Sequence, residues 1–232
     1  MKKSSLLYTI CSIIFMIGFT ACDENNDGYY DNIPRIYFGA DSLNYSFGDQ
    51  LAEYTSHTFY YPIKMEGMKA TKELKYKVIV NEELSTAQKD VHYVALKNEY
   101  TLLIDSVNAW LPIELIREHM PETDTSFKII FHLVPNEDFQ EGIIEHQTAV
   151  LTFNNFLEEP SWWQSKFNSA RYGPYQPGKY QRLIAFFGSP EKVTVASYLE
   201  LSYAYKTQVY DYGMAHPEAG FILKDPGFWP FE

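Results

Sequence analysis

The segment 126–134, Ser-Phe-Lys-Ile-Ile-Phe-His-Leu-Val, contains the pattern that decides the fold. Lys128 and His132 alternate with large apolar side chains, which fall on every second residue: Phe127, Ile129, Phe131 and Leu133. Successive side chains of a β-strand point to opposite faces of the sheet. The segment is therefore predicted to be a strand with one buried face and one face in water.

The same alternation recurs from Pro34 to about Phe156. Two further long runs share it: Phe59, Tyr61, Ile63 and Met65, then Leu74, Tyr76, Val78 and Val80. Shorter strands are predicted at 36–38, 43–47, 100–104, 111–115 and 147–153. Seven or eight strands over roughly 120 residues indicate an immunoglobulin-like β-sandwich. One solvated face per strand indicates antiparallel sheets.

Helix signals replace the alternation after Phe156. Ser161 and Gln164 have capping-box spacing, which predicts a helix over 162–169. A second helix is predicted from Gln176-Pro177 to about Gly188, and Ser189-Pro190-Glu191 predicts the start of a third. The segment 193–210 mixes helical and alternating features. We therefore predict an α+β chain, with the sandwich at 33–156 and a helical, aromatic-rich region at 157–232.

Two segments resemble a Calx-beta repeat: Ala-Gln-Lys-Asp-Val-His-Tyr at 87–93, and Glu-Thr-Asp-Thr-Ser-Phe at 122–127 leading into the strand 129–134. The likeness covers about residues 57–155. Calx-beta domains bind calcium through acidic clusters, and carboxylate oxygens suit that ion, so the resemblance implies Glu122 and Asp124 as candidate metal ligands. The chain departs from the family where Asn154-Asn155 replaces an Asp-rich segment and Asp90 replaces a turn glycine. These departures argue against calcium, and we expect no cofactor.

The first 21 residues are predicted to be a secretory signal, with a basic start, an apolar stretch over 6–19 and the small pair Thr20-Ala21. The apolar stretch is shorter than the roughly 20 residues that cross a bilayer. Thr20-Ala21-Cys22 resembles the lipobox of bacterial lipoproteins, which implies cleavage and lipidation at Cys22. Several acyl chains on one residue would hold the protein durably on a membrane.

The segment 22–32 is predicted to be an acidic tether, because Asp-Glu-Asn-Asn-Asp-Gly at 23–28 has nothing to bury. It also resembles the acidic tag that directs Bacteroidota lipoproteins to the exterior face of the outer membrane. The full chain has a formal net charge of −11. Loss of residues 1–21 removes two lysines and no acid, which makes the surface more acidic and disfavours nucleic acid as a partner.

The complete arrangement of lipobox, acidic tether, incomplete Calx-beta-like sandwich and tryptophan-rich helical region resembles an uncharacterised family of Bacteroidota surface lipoproteins. Such proteins are commonly encoded beside SusC/SusD-type glycan-uptake systems. The resemblance implies a cell-surface accessory protein that works with an outer-membrane transporter, through polysaccharide contact, protein contact or both.

Sequence motifs for catalysis are absent. The six histidines are scattered, and neither a His-Glu-x-x-His motif nor a Gly-x-Ser-x-Gly elbow occurs. We therefore expect no catalytic residues. Two carboxylates brought together only by folding would leave no sequence signature, so a surface glycoside hydrolase stays open as an alternative. A structural or adhesive sandwich module is a third reading.

Aromatic residues are concentrated near the C-terminus, where residues 160–232 hold 17 of the 39 in the chain. Sugar rings stack their C–H faces on such side chains, and loop aromatics are easier to expose. The candidate ligand-binding residues lie beside turn residues: Trp162, Trp163, Tyr172, Tyr175 and Trp229. The competing reading is that these aromatics form the core of the helical region.

Overall fold

Nine strands form two sheets in the computed structural model, which describes residues 34–230. In chain order they are β1 Arg35–Phe38, β2 Ser42–Ser46, β3 Ser56–Glu66, β4 Leu74–Val80, β5 Tyr100–Leu102, β6 Asn108–Ile116, β7 Ser126–Val134, β8 Gln140–Glu141 and β9 Thr148–Asn154. The four-stranded sheet has the order β6-β3-β1-β8, and the five-stranded sheet has the order β2-β9-β7-β4-β5. The predicted signal at 1–21, lipidation at Cys22 and tether at 22–32 lie outside the described residues.

The sandwich core lies between the two sheets and consists of the alternating side chains. In β7, Ile129, Phe131 and Leu133 are buried. The Tyr61 ring of β3 lies 5.8 Å from that of Phe131, so the inner faces of the two sheets are in contact. The predicted fold class, a mostly β sandwich followed by a helical region, is confirmed.

The prediction of purely antiparallel sheets is wrong at two edges. β1 pairs with β8 in parallel, and β2 pairs with β9 in parallel. The physical reason is that the chain crosses from one sheet to the other between β1 and β2. β2 then pairs with β9, the last strand of the sandwich, which runs in the same direction as β2. The alternation within one strand reports which face is buried but not which strand is its neighbour. β8 was not predicted because its two residues are both exposed.

Short helices follow the sandwich. They are α1 Trp163–Lys166, α2 Ser169–Tyr172, α3 Pro177–Phe187, α4 Pro190–Val195, α5 Tyr198–Ala204 and α6 Tyr212–Ala215, with a π-helical segment, Tyr205–Asp211, between α5 and α6. Helix α3 begins and ends as predicted, because Pro177 occupies its first turn and Gly188 takes the left-handed conformation that closes it. Ser189 caps α4 by accepting a hydrogen bond from the Lys192 amide.

The predicted capping box at Ser161 and Gln164 does not form. Gln164 instead donates from Nε2 to Glu159, 2.6 Å away, and accepts from the Ser169 hydroxyl. A capping box occurs at the start of α5, where Ser197 and Glu200 satisfy each other's backbone amides. This box explains why the ambiguous segment 193–210 breaks after α4 and begins a new helix at Tyr198.

The helical region is attached to the sandwich through buried contacts. Gln181 of α3 donates from Nε2 to the Gly48 carbonyl oxygen at 2.8 Å. A Cβ at Gly48 would lie 2.0 Å from the Phe156 carbonyl oxygen, so the backbones approach too closely for any other residue. The Tyr175 hydroxyl donates to the Leu157 carbonyl oxygen at 3.0 Å. These bonds fix α3 and the 156–157 segment against the loop after β2.

Asp90, which occupies the turn-glycine position of the Calx-beta pattern, has a φ of 61°. A left-handed conformation costs a Cβ-bearing residue roughly 1–2 kcal/mol, less for Asp, whose short side chain bonds locally. Asp90 Oδ1 accepts from the Ala95 amide at 3.3 Å. Asp90→Ala is therefore expected to lower the free energy of unfolding by about 1 kcal/mol, whereas Asp90→Gly changes it by less than about 0.5 kcal/mol. Urea unfolding measures both, and equal losses would contradict the strain argument.

Candidate functional site

Three of the five aromatic residues predicted to bind ligand lie in the interior of the helical region. Trp163 is 1% exposed, Tyr172 2% and Trp229 4%. The Trp163 ring lies 5.1 Å from that of Tyr175 and 6.4 Å from that of Tyr205. The expectation of exposed loop aromatics is corrected for these three, because one-turn helices leave too little aliphatic surface and the aromatic rings fill the core instead.

Trp162 and Tyr175 are only partly buried. The Trp162 ring has the Lys166 ammonium 5.2 Å from its centroid and packs edge-on against Tyr180. The Tyr175 hydroxyl is bonded to the Leu157 carbonyl, and burial is the first of the causes that raise its pKa. The structure brings the five predicted residues into one cluster, but the cluster is a core and not an exposed surface.

A different pair of aromatic side chains is exposed on the four-stranded sheet. Tyr60 of β3 is 58% exposed and Trp110 of β6 is 59% exposed. In the β3–β6 register, Tyr60 lies opposite Pro112, and Trp110 lies opposite Pro62. The two rings are thus diagonal neighbours on one face of an antiparallel pair, within reach of each other. We call Tyr60, Pro62, Trp110 and Pro112 the aromatic face.

Polar residues flank the aromatic face at both ends. The next pair on the outer side in one direction is Thr58 with Glu114, and in the other Lys64 with Asn108. All four are exposed. Beside Thr58, Pro112 and Glu114 lies a cavity of about 220 Å³, which the loop at 94–97 closes on its other side. An apolar, planar centre with hydrogen-bonding groups at its margins suits a ligand that has both apolar and hydroxyl-bearing surfaces.

The sequence contains a signal for this face. Trp110 is the sole tryptophan between residues 34 and 156, and it alternates with Ala109 and Leu111, which are buried. Trp110 therefore occupies one of the outward-facing positions of its strand, where Lys or Thr is more usual. Tyr60 occupies an outward-facing position of β3, between Phe59 and Tyr61. Nearness to turn residues, which favours the C-terminal aromatics, does not identify these two positions.

A second cavity, of about 470 Å³, lies where the helical region meets the loop after β2. Arg182 is placed in its wall by three contacts. The guanidinium donates from Nε to the Gln208 carbonyl at 2.7 Å, lies 3.2 Å from the Tyr212 ring centroid, and has Glu53 at 3.7 Å. Glu122 and Glu218 also line the cavity. Because Arg182 covers the Tyr212 ring, that ring has no open face toward the cavity, whose wall combines charged groups with apolar residues such as Phe221 and Pro177.

Arg117 is buried at the same end of the sandwich. It donates from Nε to Asn155 Oδ1 at 2.9 Å and from Nη1 to the Leu51 carbonyl at 2.6 Å. Burial lowers the pKa of the guanidinium, while nearby acids, Glu122 first among them, oppose that shift. Arg117 thus holds the loop after β2 against Asn155, which occupies the place of the Asp-rich segment of Calx-beta domains.

Glu122, one of the two candidate metal ligands, lines the cavity at the sandwich end, and Asp124 is exposed two residues later. Within residues 34–230, no group of three or more His, Cys, Asp or Glu side chains is arranged to hold a metal ion. In the same part of the chain, no helix has both the length and the apolar character that bilayer crossing requires.

Comparison with known families identifies a relationship that spans most of the chain. The sequence profile of DUF4843, a domain of unknown function, matches residues 24–189. The chain belongs to the DUF4843 family. The matched residues include the whole sandwich and extend through α3, so the family covers both the aromatic face and the first part of the helical region. No curated protein sequence matches the chain.

Solved structures similar to this chain show distant likenesses. CBD12 of CALX1.2 has a TM-score of 0.40 at 12% identity over 52% of this chain and 43% of that one. A proposed carbohydrate binding protein from Bacteroides ovatus ATCC 8483 has a TM-score of 0.41 at 12% identity over 53% and 38%. A protein of unknown function from Bacteroides ovatus has 0.39 at 14% over 53% and 45%. The chain spans less than half the length of each, and likenesses this distant carry no argument about a ligand.

Proposed function

We propose that this member of the DUF4843 family is a non-catalytic cell-surface lipoprotein that binds glycan at the aromatic face. The observation that carries the proposal is the exposure of Trp110 and Tyr60 on one strand pair. Each leaves more than half of its surface in water, and neighbouring exposed aromatic side chains on one face mark an interaction site where a single one does not. Trp and Tyr are also the residues that most often dominate binding energy.

The chemistry of a pyranose ring matches this face. One side of such a ring presents C–H groups, which pack on an aromatic ring, while its hydroxyls extend sideways and need hydrogen-bond partners. Glu114 and Thr58 at one end, and Lys64 and Asn108 at the other, supply acceptors and donors at the margins. Because both rings stand on paired strands, little conformational entropy is lost on binding.

The location and the partner belong to the same proposal and rest on the sequence. The signal at 1–21, Cys22 and the acidic tether support a lipid-anchored protein of the outer membrane that faces the exterior. A glycan-binding surface on such a protein would serve a SusC/SusD-type transporter by holding polysaccharide near its entrance. Labelling of intact cells with a membrane-impermeant reagent tests the display, and co-purification from solubilised membranes tests the partner.

Affinity electrophoresis of the full-length protein through a panel of neutral polysaccharides tests the binding site. Trp110→Ala is expected to reduce affinity for a retained polysaccharide by at least about tenfold, and Tyr60→Ala by less, because its ring is smaller. Tyr54→Ala is the matched control, since Tyr54 is 57% exposed but lies outside the aromatic face. Unchanged retardation of the Trp110 variant, with its fold intact by circular dichroism, would overturn the proposed site.

A glycoside hydrolase is the second candidate, and the cavity at the junction favours it. Glu53, Glu122 and Glu218 line one cavity of about 470 Å³, and hydrolysis of a glycosidic bond needs two carboxylates across a cleft. Release of reducing sugar from the same polysaccharides, abolished by Glu122→Gln or Glu53→Gln, would establish this function. Retardation without release supports the non-catalytic proposal.

A further inference from the structure

A basic pocket of about 730 Å³ lies on the helical region and shares no residue with the aromatic face. Lys166, Arg171 and Lys224 line it, together with the single carboxylate of Asp225. The protein as a whole is strongly acidic, with a formal net charge of −11. A pocket with three cations and one anion is therefore a local reversal of the surface charge.

The polar partners of the three cations within the described residues are backbone carbonyls. In residues 34–230, none of them has a carboxylate within ion-pair distance. Arg171 donates from Nη2 to the Phe228 carbonyl at 2.8 Å, and Lys224 donates to the Ala170 carbonyl at 3.4 Å. Lys166 reaches the Thr194 and Ala196 carbonyls only at 3.5 Å. Backbone carbonyls orient these groups but leave their charge available to a ligand.

Two tyrosines, Tyr172 and Tyr198, also line the pocket, and their hydroxyls are neighbours. Tyr172 is 2% exposed, whereas Tyr198 is 47% exposed. Burial, followed by the adjacent Tyr198 hydroxyl, raises the pKa of Tyr172 to about 12, so it stays a neutral donor. The exposed side chain of Tyr198 therefore offers a hydrogen-bond donor to an occupant that brings an oxygen acceptor.

We propose that the basic pocket binds the anionic group of an acidic polysaccharide, a uronate carboxylate or a sulfate ester. Three positively charged side chains and the phenol of Tyr198 line a volume typical of small-ligand sites. The charged oxygens of a carboxylate or sulfate accept hydrogen bonds from cationic side chains and from a phenol at the same time. This inference rests on the proposed function, because it assigns an acidic class of glycan to a protein whose aromatic face binds sugar rings of any charge.

Polymers that differ only in charge test the proposal. The full-length protein is compared on dextran and dextran sulfate, and on polygalacturonate and its methyl ester. The wild type is expected to bind one charged member of a pair at least about fivefold more tightly than its neutral partner. The preference should fall with added salt, because exposed charges are screened. The first polymer pair reports sulfate and the second reports carboxylate.

The double substitution Lys166→Gln with Lys224→Gln is expected to remove most of this preference, because it removes two of the three cations that line the pocket. Lys77→Gln is the matched control, an exposed lysine of β4 on the other region of the chain. A preference that survives the double substitution, or equal wild-type affinity for the members of both pairs, would overturn the basic pocket. Trp110→Ala affects neutral and charged polymers alike, so its result reports on the aromatic face separately.

Discussion

Replacement of Trp163 by alanine is expected to lower the free energy of unfolding by about 3–5 kcal/mol, the range for truncating a fully buried Trp or Phe. Trp163 is 1% exposed. Its ring has Phe167, Tyr175 and Tyr205 within 6.4 Å, so its loss leaves a cavity bordered by rigid rings. The helices are too short to collapse around that cavity. Urea unfolding followed by far-ultraviolet circular dichroism measures the loss.

Trp162→Ala is the control, because the neighbouring side chain is only partly buried. It is expected to cost less than half as much as the Trp163 substitution. Similar losses for the two variants would mean that Trp163 is not the centre of the helical core. If the Trp163 variant is recovered unfolded, Trp163→Phe, which keeps most of the ring volume, should be recovered folded.

The stability of the protein is expected to rise between pH 7 and pH 9.5 because of Lys179. This side chain is fully buried, and its Nζ donates to the Pro174 and Ile222 carbonyls at 2.8 and 2.7 Å, with no carboxylate partner among residues 34–230. Burial lowers its pKa from 10.5 to about 8. Between those values the unfolded chain binds more protons than the folded one, so raising the pH favours folding. The gain is roughly 2 kcal/mol by pH 9.5.

Above about pH 10 the free energy of unfolding is expected to fall again. Burial raises the pKa of Tyr61 to about 12, so this tyrosine ionises at a lower pH in the unfolded chain than in the folded one, and a rising pH favours unfolding. Free energies of unfolding in urea at half-unit pH intervals measure the curve. Lys179→Met keeps a side chain of similar length but has no titrating group, and it is expected to flatten the rise between pH 7 and 9.5. A rise of the same size in that variant would assign it to other groups.

The sequence predicts the positions of the strands better than it predicts which strands pair within a sheet. Alternation identifies the buried faces of β3, β4 and β7 because burial acts on each strand separately. The pairing of β2 with β9 depends on where the chain crosses between sheets, and local pattern contains no record of that crossing. The helices follow the same rule, since the caps at Ser189 and Gly188 are local and predictable, whereas the one-turn helix α1 depends on tertiary packing.

The candidate site was harder to predict because exposure is a tertiary property. Trp163 and Tyr172 stand beside turn residues, yet the helices fold over them. Trp110 stands in the middle of a strand, yet it is exposed because none of the elements within residues 34–230 covers its side chain. The position of an aromatic residue within the alternation of its strand is a better guide to its exposure here than the nearness of glycine or proline.

The pairing of β2 also has a consequence for the order in which the chain folds. Within the described residues β9 is the sole sheet neighbour of β2, and Ser46 bonds Asn154 across 108 residues of sequence. A chain that emerges gradually from a ribosome or a translocation channel therefore has no partner for β2 until the last strand of the sandwich has appeared. Pairings this distant in sequence form slowly. Pairing of β2 in the five-stranded sheet is thus a late event, and until then both edges of β2, not only its outer one, are open to chaperones or neighbouring chains.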